Sequence, residues 1–492
     1  MLFNSFLFIF IFLPITWFVY FYLNKKHLTE GSKGFLVLAS LFFYSWWNIA
    51  YFPILVISML FNYTVGISLT EKKKQIKINK KVLLTFGITA NVSLLAYFKY
   101  ADFLIENINT ISNIDMPLLN IALPLAISFF TFQQIAYLVD SYRGETKEYD
   151  FLNYANFVTF FPQLIAGPIV HHSEMMPQFA KIKNKTKNYH NVALGLFIFS
   201  IGLFKKVVIA DTFAIWANTG FGTGIRLSLF EAWGASLSYT FQLYFDFSAY
   251  TDMAIGIALL FNIRLPLNFN SPYKATNIQD FWHRWHITLS RFLKDYIYIP
   301  LGGNRKGESR TYVNLFATFV LGGIWHGAGW TFVVWGILHG LALVVHRAWK
   351  KLGFKMNVIL AWFITFNFIN IAWVFFRAKE IEDAVRIIVA MFNIDRMAIS
   401  KNFASYLHYI DIFDIGFKGV RFGPIMSIYT IMMIILGFTV VLWFKNSNEL
   451  SIKFEKMKKI PIFWYLFSVI ALGSSLIVMS FQTGSDFLYF NF

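Results

Sequence analysis

His326 is the residue in this chain best placed to do proton chemistry. It lies in the run Gly322, Gly323, Ile324, Trp325, His326, Gly327, Ala328, Gly329, Trp330. An imidazole exchanges a proton near neutral pH, and burial disfavours its cation, so a buried ring stays neutral and can act as a base. The surrounding glycines allow close backbone approach and leave room for a ligand channel. A second pair, His283 and His286, stands in Phe281, Trp282, His283, Arg284, Trp285, His286, Ile287, Thr288, Leu289, Ser290. Their spacing could meet a metal, but no carboxylate or third histidine stands beside them at ligand spacing, which disfavours zinc. A third group runs from Gln242 to Asp252. There Tyr244, Ser248 and Asp252 share one helical face, with Asp246 and Tyr250 on another. Such a polar stripe serves either substrate contact or hydrogen bonding between helices.

Other chemistries find little support. The chain has no cysteine, which excludes disulfides, thiolate metal sites and cysteine nucleophiles. Gly302, Gly303, Asn304, Arg305, Lys306 and Gly307 lack the spacing of a phosphate-binding loop, and no Gly-x-Ser-x-Gly elbow supports a serine nucleophile. Arg291, Lys294, Arg305 and Lys306 could attract a phosphate-bearing donor, although basic residues beside apolar spans ordinarily set membrane orientation.

The elements that must position these groups lie in lipid. Of 492 residues, 57% are hydrophobic and only 14% charged, whereas charged residues approach a quarter of a soluble domain. Apolar runs fall near 2–23, 34–50, 52–70, 82–99, 119–139, 191–213, 229–262, 313–325, 328–346, 357–376, 424–444 and 461–480. They predict an all-α polytopic membrane protein of about twelve crossings, folded as one membrane domain over 1–492. The first run lacks a basic leader and a small-residue cleavage site, and reads as a retained span. The apolar stretch 151–170 is interrupted by Pro162, Gly167 and Pro168, as in a re-entrant segment. The run from Val313 to Trp325 makes only about 20 Å of helix against a core of about 30 Å, so His326 is expected within the membrane.

The net charge of +17 is read as cytoplasmic loops facing anionic lipid, and nucleic acid is not expected as a partner. Lys72, Lys73, Lys74, Lys77, Lys80 and Lys81 crowd one connection, while the next, 101–117, has no Lys or Arg. With the lysine loop cytoplasmic, the basic segments 181–187, 291–310, 347–355 and 453–459 fall on the same side and both termini outside. Amphipathic interfacial helices are expected from Asp280 onward and near 381–391. Asn277, three residues before Asp280, suggests a helix start.

Taken in order, Phe161-Pro162-Gln163-Leu164-Ile165-Ala166-Gly167-Pro168, Tyr244-Phe245-Asp246-Phe247-Ser248, Asn270-Ser271-Pro272, Phe281-Trp282-His283-Arg284-Trp285-His286 and Ile324-Trp325-His326-Gly327 resemble the membrane-bound O-acyltransferase family. Within it they resemble the bacterial subunits of alginate and peptidoglycan O-acetylation. The resemblance spans nearly the whole chain. It implies His326 as the catalytic histidine and His286 as a second functional one, with Tyr244, Asp246, Ser248, Asn270 and Trp325 as candidate substrate contacts. His283 stands where many relatives carry Arg and is given no role. The resemblance further implies an acetyl donor on the cytoplasmic side, acetyl-CoA, with no bound cofactor or metal. The acetyl group would cross the bacterial inner membrane to a periplasmic O-acetyltransferase partner, which places it on peptidoglycan, alginate or another envelope polysaccharide. His326 would serve as general base or as transient acyl carrier, and His286 would orient the donor or stabilise charge. The rival readings are a transporter or flippase, whose paired discontinuous halves are not found, a scaffold subunit without chemistry, and D-alanyl transfer to teichoic acid.

Overall fold

The computed structural model describes residues 1–70, 79–146, 150–222, 224–396, 425–457, 461–481 and 487–488. Lys72, Lys73, Lys74 and Lys77 of the basic loop, and most of the connection after Arg377, lie outside the described residues. Every regular element among the described residues is helical. Among the described residues eight helices are long and apolar enough to cross a membrane: Phe8–Lys25, Ile49–Thr70, Lys80–Ser112, Tyr189–Gly220, Leu229–Leu260, Trp330–Lys351, Val358–Arg377 and Ile462–Phe481. A ninth arises if the bent pair Ile428–Trp443 and Ser447–Glu455 counts as one span.

The difference from twelve has local causes. Pro117 and Pro124 keep 114–124 out of helix, so the expected run 119–139 becomes a helix only from Ile127 to Arg143. The helix expected at 313–325 instead starts at Glu308, and its first turns carry Glu308 and Arg310. Thr29–Ser45, in place of 34–50, is 17 residues long. The segment 151–170 does break at its prolines, into Phe151–Thr159, Phe161–Leu164 and a buried stretch without helix.

The chain packs as two units. One comprises Met1–Phe204, Ala249–Asn268 and Ser451–Phe492. In it, aromatic rings of Phe3, Phe8, Phe12, Phe43 and Phe161 pack in successive pairs with centroids 4.9 to 6.2 Å apart. Asn62 and Asn91 exchange amide hydrogen bonds of 3.1 and 2.7 Å, each satisfying a polar group that would be costly alone in an apolar interior.

The other unit comprises Lys205–Ser248 and Phe269–Leu450 and carries His286 and His326. Its frame is the antiparallel pair Glu308–His326 and Trp330–Lys351, which share only the short link Gly327 to Gly329. A methyl group on Gly323 would sit 2.5 Å from the Phe332 carbonyl oxygen, and one on Gly336 would sit 2.7 Å from that of Phe319. Gly340 meets Phe316 in the same way. Small residues let two membrane helices approach at backbone distance, where van der Waals packing substitutes for a hydrophobic drive that lipid does not supply. Gly323→Ala or Gly336→Ala should therefore cost about 1–3 kcal/mol of overpacking, seen as a lowered Tm in detergent. Gly473→Ala, where nothing lies within 4 Å, should leave Tm unchanged or raised.

Candidate active site

His326 is the last residue of its helix and is 3% exposed. Its ring lies 4.9 Å from Trp325, 5.0 Å from Trp335 and 5.1 Å from Phe376, all edge-on. The next residue, Gly327, is extended, and a Cβ there would collide with the Phe332 ring at 2.1 Å. The helix ends where no larger residue fits, and that fixes the histidine. A helix C-terminus carries partial negative charge, and His326 stands at that end.

Asn277 caps the helix Ile278–Arg284, its side chain accepting from the Asp280 N–H at 2.8 Å, as the sequence predicts. The amphipathic helix expected to continue past this point breaks at Trp285 and His286, and resumes as Ile287–Leu293. His286 takes a left-handed conformation with φ +42°, which costs a non-glycine residue about 1–3 kcal/mol. The turn is held by Ser290, whose N–H donates to the His286 carbonyl at 3.0 Å and whose hydroxyl donates to Trp282 O at 3.1 Å. His286 is fully buried, edge-on to Phe247 at 4.8 Å, and burial pushes its pKa down to about 3.

The two histidines stand at the ends of one aromatic cluster. From His286 the ring contacts pass through Phe247, Phe269, Trp285, Trp373 and Phe376 to His326, each step between 4.8 and 5.3 Å. Tyr244 joins beside Tyr273 at 5.3 Å and Trp285 at 6.3 Å, with Lys205 over its ring. Ser248 is buried on the same helix. Asp246 has an electrostatic task of its own: Lys206 bridges it at 2.7 Å and Asp211 at 2.9 Å. Asn270 is tied into the scaffold, its side chain accepting from Asn446 at 2.9 Å and its N–H donating to Arg284 O.

A half-open cavity of about 670 Å³ lies against the Ile287–Leu293 turn. Arg291 and Lys294 reach it, together with Arg347, Lys350, His283 and His346, whereas Arg305 and Lys306 do not. Trp282 lines it and also contacts Trp335 at 5.8 Å. One indole thus separates a basic cavity from the rings around His326.

Residues 10–379 match the membrane-bound O-acyltransferase family. The chain is 50% identical to a peptidoglycan O-acetyltransferase of Helicobacter pylori, over 100% of this chain and 98% of that protein. The chain belongs to the membrane-bound O-acyltransferase family. This acyltransferase is also 39% identical to a probable alginate O-acetylase of Pseudomonas aeruginosa, over 82% of this chain and 76% of that protein. A teichoic acid D-alanyltransferase of Bacillus subtilis is 28% identical over 52% of the chain.

Sequence reasoning missed two groups in the acyltransferase. Lys206 interrupts an apolar span, and an intramembrane lysine needs a partner, a signal that could have found it; the structure supplies Asp246 and Asp211. His339, on the helix after His326, was likewise an ionisable residue in an apolar run. Two outcomes follow. Asp246→Asn breaks a buried ion pair and should lower stability by about 3 kcal/mol, visible as lost protein abundance and Tm and not as a selective rise in substrate KM. His286 is neutral above about pH 3, so His286→Gln should reduce the maximal rate without moving the acidic limb of the pH–rate profile between roughly 5 and 8. A moved limb would mean that His286 carries charge.

Proposed function

We propose that this acyltransferase takes an acetyl group from a cytoplasmic thioester donor, acetyl-CoA, and passes it through the inner membrane for O-acetylation of an envelope polysaccharide. Peptidoglycan stands first, given the Helicobacter pylori relative, and an alginate-type polymer second. The observation that carries this reading is the pairing of a buried histidine at a helix end with a basic cavity two rings away, through Trp335 and Trp282. Arg291, Lys294 and Lys350 suit the phosphates of a nucleotide-bearing thioester, since charge-assisted contacts to phosphate are the strong ones. Arg347 is already held by Glu308 at 2.9 and 3.0 Å and shapes the rim.

His326 acts as general base. It removes the proton of an acceptor hydroxyl, the oxygen attacks the thioester carbonyl carbon, and the carbon–sulfur bond breaks. The proton then passes to the departing thiolate. His286 and Tyr244 position the donor, Trp325 packs beside the base, and Ser248 lies along the path. A separate periplasmic transferase receives the acetyl group and places it on the polymer.

His326→Ala, expressed in the native host and checked for normal insertion, should abolish ester-linked acetate released by mild base from one purified envelope polysaccharide. The polymer that loses acetate is the substrate. Unchanged acetate in every polymer would overturn the reading, and loss of ester-linked D-alanine in its place would favour transfer of that group.

A further inference from the structure

His339 is fully buried on the helix Trp330–Lys351. Its Nδ1 accepts a hydrogen bond from the Trp282 indole N–H at 3.2 Å. An indole nitrogen only donates, so Nδ1 carries no proton and the neutral ring holds its hydrogen on Nε2. That Nε2 has no hydrogen-bond partner among the described residues, and neither has the indole nitrogen of Trp335. The two rings lie 4.6 Å apart, and Trp335 lies 5.0 Å from His326. Buried donors are nearly always paired, and an unpaired one costs about 1–3 kcal/mol. Two such donors in ring contact beside the general base call for a common acceptor.

We infer that the His339 Nε2–H and the Trp335 indole N–H hold the carbonyl oxygen of the transferring acyl group, with Trp282 fixing the His339 tautomer from the cavity side. The inference rests on the acyltransferase reading and adds to it the groups that bear the charge. When the acceptor oxygen bonds to the thioester carbonyl carbon, the carbonyl electron pair moves onto its oxygen, and that oxygen gains two charge-assisted hydrogen bonds. Collapse of the intermediate returns the pair, re-forms the carbonyl and expels the thiolate, which takes the proton held by His326. Donors placed in advance in a water-poor site stabilise such a charge without reorganisation.

The test uses the full-length protein in lipid nanodiscs, with acetyl-CoA as probe and thiol release as readout. His339→Phe keeps an aromatic ring and removes the donor; it should lower kcat by about a hundredfold with little change in KM. His339→Gln, which restores an N–H, should recover at least a tenth of the wild-type rate. Trp335→Phe should give a kcat loss of the same kind, and Trp282→Phe a smaller one. His326→Ala separates the two levels: if it keeps wild-type activity, or if the wild-type protein releases no thiol from acetyl-CoA, the proposed reading on which the inference rests fails. If His326→Ala is inactive while His339→Phe and Trp335→Phe turn over normally, the oxyanion assignment alone is overturned. Equal loss in His339→Phe and His339→Gln at unchanged Tm would overturn it as well, because a purely structural ring has no use for the restored donor.

Discussion

The approach of Gly323 to Gly336 is the contact on which the candidate site depends. It brings two helices to backbone distance, and three residues beyond Gly323 the first of them ends at His326. Any side chain at these glycines would widen the pair and move the histidine relative to Trp335 and Phe376, its partners at 5.0 and 5.1 Å. In lipid this packing has no hydrophobic drive behind it, because tails are as apolar as leucine. Shape carries the burden, and Gly327 extends the same logic to the link, where the Phe332 ring occupies the space a Cβ would need.

The second constraint is the cost of polar groups away from water. Several of those in the unit that carries His326 are answered. Lys206 is held between Asp211 and Asp246, and Thr240 donates to the Asn370 side chain at 2.7 Å. Tyr273 donates to Thr240 O at 2.7 Å, and its own carbonyl accepts from Trp362. Against this background the donors of His339 and Trp335 stand out by position, since they adjoin His326. Other buried polar atoms of this unit, Tyr239 OH and Trp373 Nε1 among them, also have no partner among the described residues, and it is the place of the His339 and Trp335 donors beside His326 that sets them apart.

Much of this was legible in the sequence. His326 was found from a polar residue inside an apolar run flanked by glycines, and the breaks at 151–170 from their prolines. The cap at Asn277 was read from side-chain chemistry at a fixed offset. What was not legible depended on residues far apart in the chain. Arg347 and Lys350 read as a loop signal by position, yet the turn of the helix pair brings them to Arg291 and Lys294 around one cavity. The ion pair of Asp246, a candidate substrate contact, was not legible because Lys206 lies forty residues earlier. The break at His286 was missed because aromatic and basic residues alternate there as an amphipathic helix would, while the left-handed turn is imposed by Ser290 and Trp282. Among the described residues eight or nine helices meet the length and composition of a span where about twelve were expected, because prolines or charges shorten a run that composition alone counts as apolar.

The separation between the basic cavity and the aromatic cluster has a consequence for selectivity. Cationic side chains gather on the cavity side, and buried rings pack against Trp282 on the other. On the proposed reading the donor's charged portion is held outside, where its phosphates have partners, and only the acyl carbon reaches the base. A longer acyl chain would have to displace Trp282 and thereby release the tautomer of His339. The group that sets the size limit would then also set the electrostatics of the reaction, so a poorly fitting chain loses rate as well as binding. Discrimination of this kind acts on the transition state. It needs no dedicated pocket for the acetyl methyl, only an indole whose N–H is already committed to the histidine behind it.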